Sequence, residues 1–308
     1  MAKGTGHVLQ RRVRKSDRVL LGATGFATAL ILAMLATLVL DVVVGGAKTV
    51  TWSFLSEAPT KGMTAGGIFP AIVGTVALTL MMTLAAVPAG VATAVYLTEY
   101  AAASSPIARA IRICISNLAG VPSIVFGLFG LGFFVTTIGR GIDNTFYAGH
   151  LTYGKPALIW AALTLAILTL PVVVVSTEEA LRSVPRELRD ASLALGATRF
   201  QTVLRVVLPH ALGGILTGAI LAVSRGAGEV APIMFTGVAY FLPYLPKYPN
   251  DQFMNLGYHV YVLATQSPDV DRTKPLLYGT VLVLLGLTFL LNLVAIVIRS
   301  RMRRRILA

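Results

Sequence analysis

Six apolar runs free of charged residues punctuate the chain, at 19–40, 68–98, 113–139, 156–177, 206–224 and 275–298. A helix needs about 20 such residues to cross a bilayer, so the pattern predicts six membrane-spanning helices. The first run exceeds the apolar core of a signal peptide and no clear cleavage site follows it, so it reads as a retained span. Two runs are longer than a bilayer requires. The one at 68–98 carries Pro88, and the one at 113–139 carries Gly120 and Pro122, residues that bend or tilt a helix. A further uncharged stretch at 230–246 contains Pro232, Pro243 and Pro246 and reads as the end of the fifth span plus an outer segment. A seventh span there would part the two chain ends. No internal repeat is visible, which removes support for an inverted-repeat secondary carrier.

Composition strengthens this picture. Of 308 residues, 56% are hydrophobic and 13% charged, with a mean hydropathy of +0.77. Such a chain is neither disordered nor fibrous, and it lacks the polar surface of an ordinary cytosolic enzyme. Lys and Arg outnumber Asp and Glu by 26 to 13. In a membrane protein that excess gathers on the cytoplasmic side. Lys3, Arg11, Arg12, Arg14, Lys15 and Arg18 precede the first span, and Arg299, Arg301, Arg303, Arg304 and Arg305 follow the last. Both termini are therefore expected in the cytoplasm, as six spans require. The expected organisation is a basic cytoplasmic tail at 1–18, a six-span domain at 19–299 and a second basic tail at 300–308. Within the domain lie a cytoplasmic loop at 178–205 and an outer segment at 239–274. The single cysteine, Cys114, cannot form an internal disulfide, and the four histidines show no metal-ligand spacing.

The loop between the fourth and fifth spans carries the most information. Pro185 suits a helix opening. Leu188, Ala191, Ser192 and Leu195 follow at i, i+3, i+4 and i+7, a small and apolar stripe, with Arg186, Glu187, Arg189 and Asp190 on the remaining surface. Gly196 suits a left-handed helix end. Thr198 and Gln201 have capping-box spacing, which starts a new helix at once. The expectation is a short amphipathic helix, a glycine corner and a helix entering the membrane. Such a helix fits a groove on a soluble partner, and a tight corner transmits that partner's motion. A helix-turn-helix DNA reader has similar local elements, but no supporting third helix is present and the segment runs into an apolar span.

Here the residues match a family pattern. Asp190-Ala191-Ser192, then Gly196, then Val206, then Leu208-Pro209 reproduce the spacing of Glu-Ala-Ala, Gly, Ile and Leu-Pro in the coupling loop of ABC importer permeases. Asp for Glu, Ser for Ala and Val for Ile are the departures. The stretches at 66–101, 117–132, 224–237 and 253–269 further resemble permease subunits of phosphate-specific importers, in the branch that pairs with a second, related permease. The resemblance implies an all-α, six-span type I importer permease of the bacterial cytoplasmic membrane. It also implies a coupling set of Glu187, Asp190, Ala191, Ser192, Gly196, Leu208 and Pro209. The implied partners are a second permease, two ATP-binding subunits that hold ATP and magnesium, an extracytoplasmic phosphate-binding protein and membrane lipid. No cofactor is expected in this chain, no catalytic or metal-binding residue, and no nucleic acid as partner.

Arg225 and Glu229 are the candidate substrate-path residues. They lie four apart, which on a helix places them on one face. A charge at the membrane centre costs roughly 2.5–3.5 kcal/mol on the insertion scale, so such residues face a partner or a water-filled path. A guanidinium fork suits phosphate oxygens, and Glu229 either holds the arginine or meets a protonated phosphate. Gly226 and Gly228 allow close approach of an ion to the backbone. The alternative is a purely structural ion pair. Counted from a membrane edge near Pro209, Arg225 lies about 24 Å along the helix, in the outer half. Gly214, Gly218, Ala222 and Gly226 form a small-residue stripe that permits close packing, within the chain or against another permease. Tyr240, Tyr244, Tyr248, Tyr258 and Tyr261 are expected mainly in an interfacial belt.

Two apparent nucleotide motifs fail on context. Gly149-x4-Gly154-Lys155 is followed by Pro156 and has no preceding strand, and Gly226-x-Gly228-x-x-Ala231 lies in a span. ATP hydrolysis is therefore expected on separate subunits. The rival functions are import of another oxyanion (molybdate, sulfate or phosphonate), a proton-coupled carrier using Arg225 and Glu229, and a membrane-bound DNA-binding regulator.

Overall fold

The computed structural model describes residues 15–307 apart from Thr64, Ala103 and Pro268. Most of the basic tail expected at 1–18 lies outside the described residues. The chain begins with α1 (Lys15–Gly46) and α2 (Phe69–Tyr100), joined by a segment with a two-residue β-hairpin, Pro59–Thr60 against Ala65–Gly66. There follow α3 (Pro106–Ala119), α4 (Ser123–Phe146) and α5 (Leu158–Arg182). The chain continues through α6 (Arg186–Ala194), α7 (Arg199–Gly226), α8 (Leu256–Thr265) and α9 (Val270–Leu307). Six of these helices, α1, α2, α4, α5, α7 and α9, are long and apolar enough to span a membrane.

The bundle is organised around α5, which packs against α2, α4 and α7. Leu158, Ala161, Leu165, Leu168, Val173 and Leu181 are buried along its whole length. Small residues set the close approaches. The Cβ position of Gly90 in α2 is taken by Val173, that of Gly214 in α7 by Ala180, and that of Gly218 by Ser176. Gly226 is likewise closed by the Met82 thioether. The small-residue stripe of α7 therefore serves packing inside this chain. Among apolar surroundings, dispersion and close backbone approach hold helices together, and small residues permit both. Threonine hydroxyls satisfy themselves locally: Thr75, Thr79, Thr164 and Thr169 each donate to the carbonyl four residues earlier. α1 and α9 pair with each other at the rim and leave Phe26, Leu30, Phe289 and Leu290 exposed, as lipid-facing helices do.

Two runs depart from the simple reading. The third is broken at Gly120–Pro122. α3 packs along the C-terminal half of α5, with Ala108 and Ile115 clustered on Val174, Ala180 and Leu181. α4 packs along the other half, with Gly130 against Thr164 and Phe134 stacked on Trp160. The run is thus divided between two helices, of which α4 is the candidate span, because Pro122 lacks an N–H and disfavours helix at the residue before it. The fifth helix does not continue into 230–246. It stops at Gly226, and the chain folds back into the bundle through a single turn, Ile233–Thr236. Ile233, Val238 and Phe253 join Leu78, Met82, Leu158 and Leu165 in one core cluster. Ala157 N–H donates to Thr236 and Leu256 N–H to the Thr75 hydroxyl, which supplies partners to this irregular backbone.

Candidate transport path and coupling segment

Parity places α6, which lies between the fourth and fifth spans, on the same side as both chain ends. Pro185 is its N-cap, and none of its residues is buried. Glu187, Asp190 and Ala191 lie on its open surface, and Leu195 is 89% exposed. Ser192 is half-buried, and its hydroxyl lies 3.0 Å from that of Thr202 on α7. The corner forms as its residues dictate. Gly196 has φ +84° with open space around its Cβ position, so glycine is required by conformation and not by crowding. The capping box is complete: Gln201 N–H donates to the Thr198 hydroxyl, and Thr198 N–H to the Gln201 side chain at 2.9 Å. Leu208 and Pro209 follow a wide turn at Val203–Val207, and Leu208 packs beside Val207 and Ala211.

Periodicity assigns Arg189 to the polar surface, and the structure turns it inward. Its guanidinium donates to Glu99 at the end of α2 (2.8 and 3.4 Å) and to the carbonyls of Leu181 (2.8 Å) and Val184 (2.7 Å). Beside it, a cavity of about 630 Å³ is lined by Arg112, Arg182, Arg186, Arg199 and Asp190. Glu178 pairs with Arg182 at 2.7 Å and lies 3.7 Å from Arg112. Nothing in the helical pattern marks Arg189. The one available signal is Glu99, a lone acid closing a long apolar span.

Arg225 is the last residue but one of α7, and Glu229 follows in the turn beyond it, with Nε and Oε1 3.5 Å apart. The pair forms, though the helix no longer carries its second member. Its depth also differs from the expectation. Gly226 packs on Met82, and its Cβ position also meets Thr169. Both neighbours lie near the middle of α2 and α5, and α5 runs on from Thr169 to Leu158, about 17 Å farther. Arg225 therefore sits at mid-bundle, because α5 and α2 extend past the end of α7. The Arg225 side chain is 42% exposed and Glu229 21%. A guanidinium left partly open at this level is costly against lipid and favourable beside water or a partner.

At the opposite end, buried Asp143 accepts the backbone N–H groups of Thr152, Tyr153 and Gly154 at 2.7–3.0 Å. It pins the loop holding the glycine-rich decoy, which explains that sequence structurally. Of the outer tyrosines, Tyr258 packs on the core and stacks with Tyr261, while Tyr244 and Tyr248 are exposed.

Residues 86–307 match the model of the binding-protein-dependent transport system inner membrane component family. The chain belongs to this family. The permease is 36% identical over 221 residues to the probable ABC transporter permease protein YqgI of Bacillus subtilis, covering 72% of this chain and 70% of the relative. It is 36% identical over 230 residues to phosphate transport system permease protein PstA 1 of Mycobacterium tuberculosis, covering 73% and 70%. It is 32% identical over 269 residues to the probable phosphate transport system permease protein PstA of Methanocaldococcus jannaschii, covering 87% and 88%. In fold it resembles a bacterial alginate ABC transporter chain solved with an alginate-bound periplasmic protein, with TM-score 0.64, 15% identity and 95% and 96% coverage. A chain of the MetNI methionine ABC transporter gives TM-score 0.56 at 19% identity, covering 75% and 94%. The permease is thus a multi-pass inner-membrane protein of type I importer fold. The matched region contains α6, Arg225 and Glu229.

Proposed function

We propose that this permease carries inorganic phosphate inward through the cytoplasmic membrane, as one of two related permeases driven by ATP. The observation that carries this reading is the Arg225–Glu229 pair, at mid-bundle with the Arg225 side chain 42% exposed. A second permease facing Arg225 would enclose a polar path. The likeness to permeases named for phosphate transport supports phosphate as the ion. In this reading both termini and α6 are cytoplasmic. Two ATPase subunits, holding ATP and magnesium, receive α6 through its exposed face, with Glu187, Asp190, Ala191 and Leu195 in contact. An extracytoplasmic phosphate-binding protein delivers the ion to the segment at 239–274. Closure of the ATPase pair moves α6, and the Gly196 corner passes that motion to α7. Arg225 offers its donors to phosphate oxygens as the ion passes, and Glu229 holds the guanidinium between ions.

The deciding experiment is ATP-driven uptake of labelled phosphate into vesicles bearing the assembled complex, with sulfate and molybdate as competitors. Wild type should accumulate phosphate against both. Arg225→Gln should assemble and reduce uptake by about ten- to a hundredfold, since a hydrogen bond to a charged group is worth about 1.5–3 kcal/mol. Uptake of a competitor instead would overturn the substrate, and normal uptake by Arg225→Gln would return Arg225 to a structural role.

A further inference from the structure

Every N–H of the Arg189 guanidinium is used inside the chain. Nε and Nη2 donate to the two carboxylate oxygens of Glu99, Nη2 also to Leu181, and Nη1 to Val184 and, at 3.4 Å, to Pro185. The two side chains are only 18% and 10% exposed. An exposed ion pair adds little and bends freely. This one is enclosed and forked, and it also donates to the Leu181 carbonyl in the last turn of α5 and to the Val184 and Pro185 carbonyls in the short link to α6. It fastens α6 to the end of α5 and to the last turn of α2.

α2 leads from that fastening toward the ion path. Glu99 lies in the wide turn Tyr96–Tyr100 that ends α2. Seventeen residues earlier, about 26 Å along a helix, Met82 is fully buried and its thioether closes the space over Gly226, next to Arg225. Between them, Gly90 is seated on Val173 of α5. α6 thus reaches the Arg225 region by two routes. One runs through the Gly196 corner and the Ser192–Thr202 contact into α7. The other runs through Arg189 and Glu99 into α2. The two helices meet again where Met82 touches Gly226.

We propose that Arg189 and Glu99 are positioning residues that make α2 a second driven helix, so that motion of α6 shifts α2 against α7 at the level of Arg225. The proposal rests on the reading of the chain as an ATP-driven permease. It assigns a transport role to residues that touch neither the ion nor the expected ATPase face. Coupling of this kind is a measurable quantity and is not given by adjacency alone.

Glu99→Gln is the informative variant, because it leaves Arg189 its bonds to the carbonyls of Leu181, Val184 and Pro185, which hold α6 to the end of α5. The complete complex is reconstituted, and phosphate uptake, ATP hydrolysis and subunit assembly are measured together. Nitroxide labels at positions 102 and 193, with Cys114→Ser, report the distance from the end of α2 to α6 in each nucleotide state. Glu99→Gln should assemble and hydrolyse ATP, reduce uptake about tenfold, and broaden the distance distribution. Glu99→Asp, which keeps the charge, should restore part of both. Normal uptake with an unchanged distance would overturn the proposal. So would failure to assemble, or uptake and hydrolysis falling in step, since a merely structural pair would do that. Wild type failing to take up phosphate with ATP would instead bring down the functional reading, and this inference with it.

Discussion

At the scale of single residues, position in the fold decides what a side chain is worth. Gly196 holds φ +84° in open space, so its replacement is penalised by conformation alone. Alanine there should cost about 1–2 kcal/mol. Proline, locked near φ −65°, cannot form the corner at all. We expect Gly196→Pro to leave ATP hydrolysis by the assembled complex largely intact and to abolish phosphate uptake. Normal uptake would remove the corner from the coupling route. His259 in α8 is 4% exposed, its Nδ1 has no hydrogen-bond partner, and burial pushes its pKa down to about 4. The unfolded chain then binds a proton that the folded chain refuses. Stability is full above pH 6.5 and falls as pH drops toward 4, by up to ~3 kcal/mol. Thermal unfolding of the purified protein between pH 7 and 4.5 should show this decline, and His259→Leu should flatten it. An equal decline in the variant would place the acid sensitivity elsewhere.

At the scale of elements, periodicity and capping are legible where structure is local. The six apolar runs all become parts of crossings. The amphipathic α6, its glycine stop and the capping box at Thr198 and Gln201 form as their spacing predicts, because each depends on residues within one or two turns. The breaks are harder. Gly120 and Pro122 signal a bend, but the separation of α3 from α4 depends on packing along two halves of α5. The stretch after Gly226 is apolar because it re-enters the core, where Ile233 and Phe253 are wholly buried. A run of hydrophobic residues does not distinguish a helix that continues from a segment that folds back.

At the scale of the whole molecule, parity across six candidate spans puts α6 on the side where α1 starts and α9 ends, and the exposed stretch around Tyr244 and Tyr248 on the other. We propose that the first side is the cytoplasm, where basic residues gather in membrane proteins. That assignment is tested with single cysteines at positions 193 and 248, both exposed, with Cys114→Ser. In right-side-out vesicles an impermeant maleimide should label position 248 at once and position 193 only after permeabilisation. The reverse pattern would invert the topology and separate α6 from a cytoplasmic ATPase. The same layout leaves the Arg225 side chain partly open, and in the proposed function a second permease covers it.

Residue type and local spacing, acting over a few turns, are enough to specify the number of apolar crossings, the short-range build of α6 and its glycine corner, and the identity of the two charges near the end of the fifth crossing. They do not specify the depth of Arg225, the inward turn of Arg189 onto Glu99 or the return of the chain into the core after α7. Those depend on where distant helices end relative to one another. Their relative levels are set by packing contacts such as Gly226 on Met82 and Gly218 on Ser176, and no local pattern encodes them.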